Sequence, residues 1–280
     1  MIPTEPWRAA ILARFPELAG ARFKLRNGGW DCIALDVGDR MIFKFPRNPI
    51  AERRLRREAG LLAVLHARLP LPVPKMVLHL GPPVFSSHRK LPGDVLEPKD
   101  YARLDATAKA RLALDLARFF AALHALDVTE MAANGAVPIE EGPDPALALP
   151  HLSHVSRLAA EALLRDPLPP DPFGDIYGFF DAHGWNMAFN HRLGVLNGIY
   201  DFADSGIGPL HREFVAPRFL GPDLVPHILR DYAAITGRQA DPDRVHRITG
   251  RHRLQEIVET DDPEMRPRMI AAFDDWVMGK

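Results

Sequence analysis

Asp181, Asn186 and Asp201 are the residues of this chain best suited to chemistry. They are polar positions in an otherwise apolar stretch from Phe179 to Phe202. The stretch reads FFDAHGWNMAF, then the polar turn NHRLG, then VLNGIYDFADSGIG. A carboxylate and an amide oxygen are hard ligands of the kind Mg²⁺ takes while it keeps waters and draws the rest of its shell from phosphate. A further carboxylate, Asp181, lies five residues before Asn186 and is placed to orient an acceptor hydroxyl. Together they point to Mg²⁺-dependent phosphoryl transfer, with Asn186 and Asp201 holding the metal on nucleotide phosphates. Asp and Asn also favour turns, and the apolar flanks are what set these three apart from ordinary loop chemistry.

The elements around them supply the convergence. Met187 to Phe189 and Val195 to Tyr200 read as short strands about the turn Asn190 to Gly194, with Ile176 to Phe180 as a buried lead-in. Antiparallel pairing brings Asn186, before the first strand, near Asp201, after the second. Two further residues belong to the set. In RMIFKFP, Met41, Phe43 and Phe45 share one strand face and Ile42 and Lys44 the other, so an inward Lys44 needs an anion. Glu58 sits in the helical stripe Leu55, Leu62, Leu65, and a carboxylate on a buried face needs a cation. Lys44 is one candidate; Arg54 and Arg57 at a surface are others, and an edge-strand lysine could face solvent. His183 reads as a structural hydrogen-bonding residue. Asp204 reads as an outer metal contact or as a cap on a following helix.

The whole chain frames these residues. Its 280 residues, with 47% hydrophobic and a formal net charge of −1, suffice for one large domain or two lobes. The balanced charge argues against a nucleic-acid binder, and RRLRRE at Arg53 to Glu58 reads as a solvated helix face. Cys32 is the only cysteine, which excludes an internal disulfide and suits a reducing compartment. The N-terminus lacks a signal-peptide pattern, and no stretch approaches the ~18 apolar residues of a membrane span. A cytoplasmic protein is expected. Nothing in the sequence indicates the oligomeric state.

The spacing predicts a helix over Trp7 to Leu18. It predicts strands at Ala21 to Arg26, Cys32 to Val37, Met41 to Phe45, Lys75 to Leu80 and Val84 to Arg89, and a helix over Ala51 to Leu65. Turns fall at Asn27-Gly28-Gly29, Gly38-Asp39 and Gly81-Pro82-Pro83. Leu112, Leu116, Phe119, Leu123 and Leu126 mark a core helix. Val128 to Pro150 reads as loop and His151 to Arg165 as helix. Pro222 to Val277 reads as three helices separated near Gly237 and Pro263. Strands followed by helices imply an α+β fold of two lobes, residues 1–91 and 92–280, joined near Lys90 to Gly93.

GGWDCIALDVGDRMIFKFPR, REAGLLAVL, LPLPVPK, RKLPGDVL, GFFDAHGWNMAF and GIYDFADSGIGP together resemble the aminoglycoside phosphotransferase family, a branch of the kinase-like fold that includes choline and homoserine kinases. The resemblance covers most of the chain. It implies a two-lobe protein-kinase-like fold with a small antiparallel-sheet N-lobe and a larger helical C-lobe. It implies an enzyme that moves the ATP γ-phosphoryl group to a hydroxyl of a small molecule, with ATP and Mg²⁺. It also implies Lys44 on the phosphates, Glu58 anchoring Lys44, Asp181 as catalytic base, Asn186 and Asp201 as Mg²⁺ ligands, and the backbone of Arg89, Lys90 and Leu91 against the adenine. One departure stands out. The family usually reads His-Gly-Asp where this chain has Phe179-Phe180-Asp181, so the supporting histidine and flexible glycine are replaced. That motivates an alternative reading as a catalytically weak nucleotide-binding regulatory module. For the acceptor, an amino sugar would require an acidic pocket, for which Glu256, Glu259, Asp261, Asp262, Glu264, Asp274 and Asp275 are available, though these also suit helix caps and solvated faces. A quaternary amine would require an aromatic cage, with Trp185, Phe219, Tyr232 and Trp276 as candidates.

Overall fold

The structure, a computed structural model, describes residues 4–26 and 31–279. The expected turn at Asn27-Gly28-Gly29 lies outside them. The chain opens with α1 (Glu5–Arg14) and a 3-10 turn, Pro16–Leu18, where Pro16 ends the predicted single helix. A five-stranded antiparallel sheet follows: β1 (Phe23–Arg26), β2 (Cys32–Val37), β3 (Met41–Pro46), β4 (Val77–His79) and β5 (Phe85–Arg89), in the order β1-β2-β3-β5-β4. The last two strands are shorter than predicted.

Alternation decides what each sheet face does. Ile33, Leu35 and Val37 of β2 and Phe43 and Phe45 of β3 pack with Phe85 and Ile11 into one core on one face. Lys44 therefore turns to the other face, opposite Ala34 on β2 and Ser86 on β5. Helix α2 (Pro49–Leu65) crosses there. Asn48 caps it by accepting from the Ala51 amide at 2.9 Å, and Pro49 occupies the first turn.

Beyond β5 come α3 (Pro98–Tyr101), α4 (Ala106–His124), α5 (Val128–Ala133) and α6 (His154–Arg165). Val128 to Pro150 is thus not all loop. Asp127 caps α5 by accepting from the Glu130 amide at 2.7 Å, and Pro145–His151 is a 3-10 segment that precedes α6. Of the predicted core stripe, Leu112, Leu116, Phe119 and Leu123 are buried on α4, which packs against α7 (Leu224–Thr236), while Leu126 lies past its end and is partly buried; α8 (Pro242–Glu259) and α9 (Arg266–Val277) complete the predicted three helices. Two small antiparallel pairs lie between α6 and α7. Strand β6 (Asp175–Gly178) pairs with β9 (Gly206–Pro209), and β7 (Met187–Asn190) with β8 (Val195–Ile199). The main core joins α4, α7 and these strands with Leu61, Leu62, Leu65 and Val73 from the α2 side. A separate cluster joins α6, α8 and α9. The fold is α+β with a sheet-built smaller part and a mostly helical larger part. No helix among the described residues is long and apolar enough to cross a membrane.

Candidate active site

Three distant segments meet at the Lys44 ammonium. It donates to Glu58 Oε1 at 2.9 Å, Glu58 Oε2 at 3.1 Å and Asp201 Oδ1 at 2.9 Å. Glu58 is 1% exposed and also accepts the Phe202 amide at 3.1 Å, so both carboxylate oxygens are satisfied. Burial raises the Glu58 carboxyl, while the two acidic partners outweigh burial at Lys44 and raise its ammonium. Lys44 therefore carries a full positive charge. Neither Arg54 nor Arg57 takes Glu58. Of the supposed solvated face, Arg53 and Arg56 are exposed, whereas Arg57 reaches inward and donates to the Ala203 carbonyl at 2.6 Å.

The hairpin converges as its strand pattern predicts. Met187 lies opposite Ile199, and the Asn186 carbonyl accepts the Tyr200 amide at 3.0 Å, which sets Asn186 beside Asp201. Asp201 adopts φ 69°, an uncommon left-handed conformation for a non-glycine residue. Asn186 Nδ2 donates to Asp181 Oδ2 at 2.6 Å and to the Asp181 carbonyl at 3.0 Å. This orients Asp181 and leaves Asn186 Oδ1 free of protein donors among the described residues. His183 Nε2 lies 3.1 Å from Asp181 Oδ1, and its ring stacks between Trp185 and Phe219. Burial, then the negative charges of Asp204 and Asp201, push the Asp181 carboxyl up to about 8. Burial lowers His183 to about 4, so its imidazole beside Asp181 is neutral. The tight 3-10 turn Gly184–Asn186 needs its glycine, because a Cβ on Gly184 would lie 1.8 Å from the Leu96 carbonyl oxygen. A strand, β9, follows Asp204, so it caps no helix.

The replaced His-Gly pair is accommodated. Phe179 is fully buried against Phe119 and Phe202. Phe180 takes the glycine-like φ of 60°. Glu213, absent from the sequence-based set, holds both: its carboxylate accepts the Phe179 and Phe180 amides, each at 2.9 Å. His124 Nε2 lies 3.2 Å from the same carboxylate, and its Nδ1 lies 2.8 Å from the Tyr232 hydroxyl. One sequence signal was present, an acid in the apolar run FVAPRFL and its lead-in LHRE, but nothing local named its partners.

The other expectations divide. Arg89, Lys90 and Leu91 border a cavity of about 480 Å³ with Pro72 to Lys75. The Lys90 amide is engaged by the Arg40 carbonyl at 2.9 Å, and its ammonium pairs with Asp36 and Asp39. Of the seven acids named for an acceptor pocket, Glu259 lines a cavity of about 360 Å³ beside Asp181. Glu256 pairs with Arg253 at 2.7 Å, Asp262 accepts from the Glu264 amide at 2.9 Å, and Asp274 accepts from the Ser156 hydroxyl. Tyr232 is buried and Trp276 stacks on Phe273 and His246, so these four aromatic residues form no cage.

Residues 23–248 match the model of the phosphotransferase enzyme family. No curated protein matches. A mutant aminoglycoside 2'-phosphotransferase-IIIa in complex with GDP superposes with a TM-score of 0.83 at 20% identity, covering 99% of this chain and 98% of that one. The kanamycin and GDP complex of that type of enzyme gives 0.79 at 21%, covering 98% and 99%. The macrolide 2'-phosphotransferase MphH from Brachybacterium faecium gives 0.67 at 18%, covering 95% and 97%. At these identities the superpositions establish a shared fold.

Proposed function

The chain belongs to the phosphotransferase enzyme family and is a small-molecule phosphotransferase, and from that premise we propose how its residues divide the work. The phosphoryl donor is ATP, and the acceptor is a hydroxyl of a small molecule. The reading is carried by one observation, the Lys44 ammonium joined at once to Glu58 and Asp201. A buried lysine fixed this way presents positive charge to the α- and β-phosphates. The linker Arg89 to Leu91 meets the base. Here Lys90 serves by bracing the linker, because its own amide is bonded to Arg40.

The donor set suits Mg²⁺. Asp201 keeps one oxygen beyond Lys44, its carboxylate is 43% exposed to the cleft, and Asn186 Oδ1 is free. Among the described residues no group of three or more His, Cys, Asp or Glu is arranged to hold a metal, so a two-oxygen site relies on phosphate and water for its remaining ligands. When bound, Mg²⁺ supplies positive charge to the phosphate oxygens and offsets the carboxylates around it. Asp181 orients the acceptor O–H and takes its proton as the new P–O bond forms and the β–γ bridge breaks. Asn186 holds Asp181 in that pose through its bonds to Oδ2 and to the carbonyl. The enzyme works in the cytoplasm, where the half-buried Cys32 remains a free thiol.

Turnover of Mg-ATP against a panel of aminoglycosides, aminoalcohols and sugars tests this. Asp181→Ala is expected to lower kcat about 10²- to 10⁴-fold while Mg-ATP still raises Tm. Turnover unchanged in that variant would sink the assignment of the base.

A further inference from the structure

We propose that the acceptor carries an anionic group, a carboxylate or a phosphate, which Arg212 receives from the wall of the cavity beside Asp181. The inference rests on the phosphotransferase reading above.

Arg212 lines that cavity together with Asp181. It is half-buried, and among the described residues its side chain makes no hydrogen bond and no ion pair. A guanidinium carries five donors, and those of Arg212 reach the solvent of the cavity without a protein acceptor, open to a ligand. Burial lowers its affinity for a proton, and only Glu259 and Glu141 oppose that, from a distance. Both of those acids are exposed, as is Glu140, which Arg54 engages at 2.9 Å. Those three acids thus belong to the rim, and Asp204, also exposed, bears on the Asp181 side of the cavity. A second inward guanidinium, Arg57, has a buried Nε with no partner. His183 and His252 add no charge, since burial lowers them to about 4 and about 3.

The mount of Arg212 is stiff. It lies between His211 and Glu213, both fully buried. His211 Nδ1 donates to Asp171 at 2.8 Å and its Nε2 accepts the Asp241 amide at 2.9 Å. Glu213 holds the backbone that leads into Asp181. Glu213 therefore anchors both the approach to Asp181 and the backbone that carries Arg212. An acceptor with a hydroxyl at Asp181 and an anion at Arg212 satisfies both groups, and a fork of N–H donors suits carboxylate or phosphate oxygens.

Gluconate, ribose 5-phosphate, glucose and kanamycin serve as probes in a Mg-ATP phosphorylation assay. We expect one or both anionic probes to be phosphorylated with kcat/KM at least tenfold above glucose. Arg212→Gln is expected to raise KM for that probe about 10- to 100-fold, with Arg212→Lys in between. Glu259→Gln should lower the same KM, and the exposed Arg103→Gln should leave it unchanged. Arg212→Gln removes no observed hydrogen bond, so its Tm should stay close to wild type. Phosphorylation confined to glucose or kanamycin, transfer to none of the four despite Mg-ATP binding, or an Arg212→Gln KM equal to wild type overturns the anionic acceptor and spares the phosphotransferase. Absence of any Mg-ATP binding overturns both.

Discussion

At the scale of single residues, Phe180 shows how a chain can keep the turn into Asp181 with a left-handed residue other than glycine. Its φ of 60° costs of order 1 kcal/mol relative to a right-handed conformation. The ring is half-buried and packs against the main core, and the Glu213 carboxylate fixes the amide. Removing the ring and removing the strain are separable. Phe180→Ala loses packing yet keeps the strain, whereas Phe180→Gly loses the same packing and sheds it. Urea unfolding should therefore find the glycine variant about 1 kcal/mol more stable than the alanine variant, reversing the usual order of these residues. An alanine variant as stable as the glycine one would show that the turn is unstrained. Lys44 and Glu58 were legible at this scale because a charge in an apolar stripe demands a partner. Asp181, Asn186 and Asp201 were legible for the same reason. Arg212 and Glu213 were not, since RE in LHREF carries no period that separates an inward charge from a solvated one.

At the scale of elements, legibility followed whether the forces were local. The alternation of β2 and β3 and the stripe of α4 depend on near neighbours, and both are present as read. Helix α5 is too short for a hydrophobic period, and its only signal was the Asp127 cap. Strand β9 was hidden because its glycines leave no alternating apolar pattern. A Cβ on Gly206 would lie 2.5 Å from the Val137 carbonyl, so glycine there serves close packing. Its pairing with β6 is long-range, as is the bond from Glu213 to the β6 exit. That exit leads into Asp181, so Glu213 is a positioning residue for the element that carries it. Glu213→Gln keeps the shape but turns an amide N–H₂ toward backbone donors. We expect a stability loss of about 3 kcal/mol and a kcat loss of about tenfold from misplaced Asp181. The KM for Mg-ATP should hold, because the Lys44 cluster is untouched. A larger effect on that KM than on kcat would relocate the role of Glu213 to the nucleotide side.

At the scale of the whole molecule, α2 matters more than the linker. Its Glu58 reaches the sheet lysine, while Leu61, Leu62 and Leu65 at its far end join Val73 in the core of the helical part. A division of the chain at residue 91 therefore passes between the sheet and residues that its own helix helps to bury. Burying these four side chains contributes about 8 kcal/mol at roughly 2 kcal/mol each, comparable with the whole stability of an ordinary domain. The two lobes should then behave as one cooperative unit. A fragment of residues 1–91 should expose that apolar end of α2, bind a hydrophobic dye and lack dispersed amide NMR signals. Mixing it with a fragment of residues 92–280 should restore dispersion and Mg-ATP binding together. A 1–91 fragment that folds alone and binds Mg-ATP would show that the sheet lobe is autonomous and that α2 merely rests on its neighbour.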